Sequence, residues 1–303
     1  MILRISPDIK KLDIFANGPE LAQMMGKDKK DGKRVASYPS TEKMLVHTFE
    51  NPVLITDNYR TSLLQPTIRD TIFSLYASRP RIVEYDGVST FWDSSHTDVW
   101  CPSIDTILYV KALRKILNKD YNFKNAIEIG CGSGFISKYL LDKSETLESV
   151  LINDLNPFAI KCAKDNINDK RANFLLGNGL DHIKNKKFDL ILCNPPYIPR
   201  PKSIDDNPYE GIFLLHHLLQ HGREYLNKDG VIVLNCSNLS WELLSQEPIP
   251  EIRIIDKMTV PLKVNNVLNN KEWVEYLKGC GLKKEYKDGY DYWQELTVFT
   301  LNN

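Results

Sequence analysis

The sequence predicts an α/β fold: a doubly wound, mostly parallel sheet of seven strands covered by helices on both faces, with a C-terminal antiparallel hairpin and a small N-terminal α+β appendage. Three observations predict it. Apolar strand-length runs alternate with helical spacing from residue 125 to 236, the pattern that builds a parallel sheet. Residues able to do chemistry recur where those strands end, at Gly130–Gly134, Asp154, Asn178 and Asn194–Tyr197, and such sheets bind ligands at their carboxyl ends. Finally, only Asp288-Gly289-Tyr290-Asp291 and their neighbours separate the last two apolar runs, a gap short enough to require antiparallel pairing.

Length and composition bound the organisation. A chain of 303 residues is long for one domain and short for two, so an appendage at 1–95 and a ligand-binding domain at 96–303 are expected, with the appendage a candidate substrate-recognition region. A hydrophobic fraction of 42% supports a sizeable core. Lys+Arg and Asp+Glu both number 39, which argues against a chain that coats nucleic acid non-specifically, while leaving room for a local basic patch. The six cysteines are dispersed with no Cys-x-x-Cys pair, so neither a zinc site nor a disulfide framework is suggested. The N-terminus lacks the apolar core of a signal peptide and no stretch approaches ~18 apolar residues, so a cytoplasmic protein without membrane contact is expected.

Within residues 1–95, Pro52–Thr56 and Arg81–Tyr85 read as short strands, and Gly18–Met25 and Thr67–Ser78 have helical spacing. Lys27–Arg34 is a charge run around a glycine, read as a solvated loop or an RNA-phosphate contact. Beyond it, Ser103 or Asp105 caps a helix from about Thr106 to Leu117, with Ile107, Val110, Leu113 and Leu117 facing inward. Pro102 turns the chain into that helix, and Trp100 is either an aromatic lid or a core residue.

A strand at Ala126–Ile129 then runs into Gly130-Cys131-Gly132-Ser133-Gly134 and a helix over Phe135–Leu141, a layout that brings a ligand to backbone N–H groups at a helix N-terminus. The spacing is Gly-x-Gly-x-Gly rather than the Gly-x-Gly-x-x-Gly that cradles a pyrophosphate, so an uncharged or zwitterionic nucleoside-like ligand suits it better. Asp154 ends the next strand, Ser149–Asn153, 20 residues beyond Gly134, the usual place for an acid that binds both ribose hydroxyls. Its alternative is to cap the helix Asn156–Ile167. Strand Ala172–Leu176 ends in Gly177-Asn178-Gly179, a turn at which a base edge can hydrogen-bond.

The apolar run Phe188–Cys193 stops at Asn194-Pro195-Pro196-Tyr197, because two prolines cannot continue a central strand. Asn194 is held extended by the proline after it, and neither proline has an N–H. The corner is therefore rich in acceptors, the Asn194 side-chain oxygen and the Pro195 carbonyl, with Tyr197 as a flat face. That suits a planar N–H-bearing group such as an amide or an exocyclic base amine. A helix is expected at about Tyr209–Leu226, carrying His217 and His221 at i, i+4; nothing nominates a third ligand, so no metal is expected. Val231–Asn235 reads as a strand buried on both faces, followed by a strand at Glu251–Asp256, a helix at Asn270–Lys278, and strands at Leu282–Tyr286 and Tyr292–Leu301.

Together, Glu128-Ile-Gly-Cys-Gly-Ser-Gly134, Asp154 and Asn194-Pro-Pro-Tyr197 resemble the class I S-adenosylmethionine-dependent methyltransferases, whose sheets are Rossmann-like. Within these the chain is similar to the amide and amine N-methylating group that includes the release-factor glutamine methyltransferases, the HemK family. Val99-Trp-Cys-Pro-Ser-Ile-Asp-Thr106 is similar to that family's segment ahead of the cofactor strand, and the likeness covers about residues 96–300. The resemblance implies S-adenosyl-L-methionine as cofactor, touched by Thr106, Glu128, Gly130, Asp154, Asn178 and Asn194, with Cys131, Gly132, Gly134 and Gly179 in the same turns. It implies that Asn194, Pro195, Pro196 and Tyr197 hold the acceptor nitrogen, with Trp100 and Pro102 as further substrate contacts. The implied partner is a protein substrate, a translation factor among the candidates, or RNA.

Overall fold

The strand order of the main sheet decides where a ligand can sit. In the computed structural model, the described residues are 2–5, 11–16, 33–39, 44–48, 53–57, 81–92, 99–100, 102, 104–119, 121–183, 186–204, 210–262, 264–287 and 290–303. The helices expected at Gly18–Met25 and Thr67–Ser78, most of the charge run, Ser103, and Asp288-Gly289 lie outside them.

The early strands are β1 (Ile2–Ile5), β2 (Lys11–Ala16), β3 (Lys33–Pro39), β4 (Met44–Thr48), β5 (Val53–Asp57), β6 (Arg81–Tyr85) and β7 (Val88–Trp92). They form a sheet in the order β3-β2-β1-β6-β7 and a separate β4-β5 pair, so the strands expected near residues 52–56 and 81–85 are present. β7 was not expected. Its signal is Asp86-Gly87, which sits at φ 53 and φ 79 between two pairing strands, the two-residue turn that favours an Asp-Gly sequence.

The remaining strands are β8 (Asn125–Ile129), β9 (Ser149–Asp154), β10 (Ala172–Leu176), β11 (Phe188–Cys193), β12 (Leu226–Ser237), β13 (Arg253–Pro261), β14 (Lys283–Lys287) and β15 (Tyr290–Asn302). Between and after them lie α1 (Ile104–Leu117), α2 (Phe135–Lys143), α3 (Pro157–Asn166), α4 (Gly179–Ile183), α5 (Phe213–His221), α6 (Asn238–Leu244), α7 (Asn265–Leu268) and α8 (Lys271–Gly279). The seven-strand path runs β10-β9-β8-β11-β12-β15-β13, Rossmann-like and parallel through β12, with β14 pairing antiparallel to β15 as the C-terminal hairpin requires. β15 inserts between β12 and β13, a swap that periodicity alone does not reveal. The helix expected over 209–226 begins instead at Phe213 and ends at His221; Gly222–Tyr225 is a 3₁₀ turn and Leu226 opens β12.

β8 is the switch point. From it the chain winds outward through β9 and β10 on one side and through β11 and β12 on the other, so a crevice opens past the ends of β8 and β11. Register places the candidate residues across that edge. Glu128 lies level with Ile152 and Leu192, and Leu192 with Val233, so two residues on, Gly130, Asp154, Asn194 and Asn235 line one row. One face of the sheet packs α1, α2 and α3 around Ile107, Tyr109, Leu113, Phe135 and Leu192; the other packs α5 through Leu215, Leu218 and Leu219. No helix among the described residues is long and apolar enough to cross a membrane.

Tyr109 sets the spacing at the crevice. Its hydroxyl donates to the Val233 carbonyl (2.7 Å) and accepts from the Cys193 N–H (3.0 Å), bridging β11 and β12 at their last paired rung. Tyr109 is fully buried, so removal of the hydroxyl strands one donor and one acceptor away from water. Tyr109→Phe is expected to cost about 2 kcal/mol in urea unfolding; a stability equal to wild type would show that the bridge is dispensable.

Candidate active site

The glycine turn ends β8 with Gly130, Gly132 and Gly134 at φ 75, 52 and 80, values that L side chains rarely adopt. At Gly134 a Cβ would also lie 2.9 Å from the Ala163 Cβ, so the start of α2 packs directly on α3. The sequence suggests that this turn and the helix start offer N–H groups to a ligand, and four of those in the turn are engaged within the protein. Gly130 N–H and Cys131 N–H both reach the Asn153 carbonyl at 2.9 Å, and Gly134 N–H reaches the Cys131 carbonyl at 2.8 Å. Gly132 N–H donates to Asp154 Oδ2, also at 2.9 Å. With these four donors engaged, fewer are left for a phosphate, which fits a ligand carrying ammonium and hydroxyl donors of its own.

Asp154 holds this turn from the neighbouring strand. Its second oxygen accepts the Asn156 N–H (2.9 Å), and Asn156, not Asp154, caps α3 through the Phe158 N–H. Each carboxylate oxygen retains a lone pair for a hydroxyl, and burial pushes the Asp154 carboxyl above the ordinary range. Open space above Gly130, together with the exposed side chains of Leu155, Leu176 and Trp100 around this edge, gives a nucleoside room and apolar surface. Trp100 is 51% exposed, and its carbonyl stands 3.5 Å from where a Gly132 side chain would begin, so its place is over the turn and not in the core.

Other predicted contacts take different positions. Glu128 is fully buried below the turn, where Oε2 receives the Ser137 N–H (2.9 Å) and hydroxyl; Oε1 has no hydrogen-bond partner among the described residues. It supports the start of α2 through Ser137 and keeps one carboxyl oxygen for a further donor. Asn178 is exposed and caps α4, its oxygen accepting the Leu180 N–H and its nitrogen donating to Asp181. Gly179 is buried against Asn153, whose Oδ1 would lie 2.4 Å from a Cβ there, so it makes room for Asn153 rather than for a ligand. Thr106, Cys131 and Pro102 are buried; Pro195 is buried, and Pro196 and Tyr197 are half-buried. His217 meets the Tyr225 hydroxyl (3.2 Å) and His221 meets Glu224 (3.1 Å).

Asn194 projects beyond the last rung of β11. Its Nδ2 donates to Asp105 Oδ2 (3.0 Å), and its Oδ1 accepts from Asn235 Nδ2 (3.0 Å). Asp105 also receives the Tyr197 hydroxyl, which ties the tyrosine ring to the same carboxylate. Sequence reasoning treated Asp105 only as a helix cap and passed over Asn235. The available signal was Asp105 and Tyr109 at i, i+4, which places both on one face of α1.

The methyltransferase small domain family matches residues 105–247, the span holding every feature above except Trp100 and Pro102. A Methanocaldococcus jannaschii protein named "Putative protein N5-glutamine methyltransferase" is 30% identical over 203 residues, covering 62% of this chain and 98% of the relative. The chain belongs to the HemK-like methyltransferases. An Aquifex aeolicus release factor glutamine methyltransferase is 28% identical over 157 residues, which is 46% of this chain and 55% of that protein. Among solved structures, the M. jannaschii tRNA m1G37 methyltransferase superposes over 73% of this chain and 54% of its own, with 14% identity and a TM-score of 0.43.

As a member of this family the chain uses S-adenosylmethionine, and the donor-poor turn, Asp154 and the apolar edge fit a zwitterionic nucleoside. The buried Glu128 yields a pH test. Burial pushes its carboxyl up to about 8, against ~4.3 in an unfolded chain. Between those values the folded state holds a proton that the unfolded state has lost, so stability falls as pH rises, by up to ~1.4 kcal/mol per pH unit. Glu128→Gln, which keeps an acceptor for Ser137, is expected to flatten that decline and to be the more stable protein at pH 9. Urea unfolding at pH 5, 7 and 9 checks it, and parallel profiles for the two proteins would refute it.

Proposed function

We propose that this methyltransferase transfers its methyl group to the side-chain amide nitrogen of a protein glutamine. One observation carries the reading: the Asn194-Pro195-Pro196-Tyr197 corner lies in the same row as the glycine turn and Asp154, two strand spacings or ~10 Å from the latter. The M. jannaschii and A. aeolicus relatives, both named for glutamine methylation, support the same class of acceptor.

The donor supplies a methyl group on a sulfonium, and the protein's task is to bring a weak nucleophile to it. An amide lone pair is delocalised into its carbonyl, so the nitrogen gains nucleophilic character only as its N–H bonds are drawn on. Asn194 Oδ1 has a second lone pair beside the one given to Asn235, and the Pro195 carbonyl is an acceptor on the same turn. Two such acceptors stabilise the positive charge that grows on nitrogen during in-line transfer and also fix its direction of approach. Tyr197, anchored through its hydroxyl, presents a ring against the planar acceptor. Asp105 is committed to Asn194 and Tyr197, so the proton leaves to solvent after transfer and no side-chain base is required.

Asn194→Ala is expected to retain S-adenosylhomocysteine binding in calorimetry and to lose at least ~10²-fold in kcat, the usual cost of removing a charge-stabilising partner. Unimpaired turnover would refute the role. The acceptor class is read by incubating the protein with tritium-labelled cofactor and cell extract: label that resists ribonuclease, yields to protease and appears as N5-methylglutamine supports the proposal. Ribonuclease-sensitive label would replace it with an exocyclic base amine.

A further inference from the structure

The Asn194 amide is hydrogen-bonded at both ends, to a carboxylate at one and to a second amide at the other. Asp105, on the first turn of α1, is an acceptor and takes the Nδ2 hydrogen. Asn235, on β12, gives its own Nδ2 hydrogen to Asn194 Oδ1. Asp105 is 5% exposed and Asn235 is fully buried, so water does not substitute for either. A 180° flip of the Asn194 amide would set its oxygen against the Asp105 carboxylate, a repulsive contact in place of an attractive one; the Asn235 amide, whose Oδ1 has no hydrogen-bond partner among the described residues, can turn to pair with either end, so Asp105 sets the polarity. The elements behind this clamp are themselves rigid: the bond from Tyr109, one helical turn after Asp105, seats α1 on β11 and β12.

We infer that Asp105 is a positioning residue that holds Asn194 with its oxygen, not its NH₂, toward the methyl acceptor, with Asn235 as the partner that follows it. The inference rests on the reading of Asn194 as acceptor for the substrate N–H. A flipped amide would offer a donor to a donor, and the substrate nitrogen would be turned away from the transfer line. Orientation is the property at stake, because Asn194 would still be present and correctly placed.

Swapping the polarity of the clamp tests this. Asp105→Asn and Asn235→Asp are expected singly to lower kcat by ~10²-fold, the scale of a misplaced acceptor. KM for the acceptor and the affinity for S-adenosylhomocysteine should stay within about threefold. The double variant keeps the net charge and offers complementary partners to the flipped amide only. It should recover the melting temperature lost by the singles and remain as inactive as they are. A purely structural role predicts the opposite, activity returning together with stability, and that result overturns the inference, as do single variants with wild-type kcat. Should the double variant fail to fold, neutron diffraction of the deuterium-exchanged wild-type protein decides: deuterium on Asn194 facing Asp105 upholds the lock, and deuterium facing Asn235 sinks it. The substrate reading fails separately, since label entering RNA in the wild type would overturn glutamine while the polarity swap still reports on Asn194.

Discussion

Two adjacent prolines without backbone N–H groups stop β11 at Cys193, and the site is arranged around that stop. The ladder to β12 ends at the Cys193 and Leu234 rung, and the Tyr109 hydroxyl completes the hydrogen bonding there. One residue further, freed from the ladder but held extended by Pro195, Asn194 comes level with Asn235 on one side and within reach of Asp105 above. Had the strand continued, the Asn194 backbone would have paired with its neighbour and the corner would have closed into ordinary sheet. The corner thus owes its surplus of acceptors to covalent structure.

The same economy of donors appears at the glycine turn. Four of its N–H groups are taken by Asn153, Asp154 and Cys131, which leaves the Asp154 carboxylate as an acceptor at its rim. The turn therefore favours a ligand that brings hydrogen-bond donors of its own, such as hydroxyls and an ammonium. Asp154 and Glu128 act on the turn from different places, one at its rim and one buried behind it, and burial pushes the Glu128 carboxyl up to about 8.

Legibility followed the range of the interactions involved. Strand and helix alternation, the glycine turn, the acid at the next strand tip and the double-proline stop are local patterns, and each stands where the sequence put it. The Asp86-Gly87 turn was equally local and was overlooked. Other features depended on partners distant in the chain. The Ile212 end of α5 falls later than periodicity suggested. β15 slips between β12 and β13, Asn178 caps α4, and Glu128 buttresses the start of α2.

By itself the sequence determined the kind of fold, the edge of the sheet that carries the chemistry, and the residue types that meet there, because strand period, proline and glycine act through the backbone within a few residues. Only the tertiary structure decided which groups those residues touch. Asp105 lies 89 residues from Asn194, and Asn235 lies 41 beyond it. That Asn194 meets these two partners, one at each end of its amide, is settled by helix packing and strand register rather than by any local propensity.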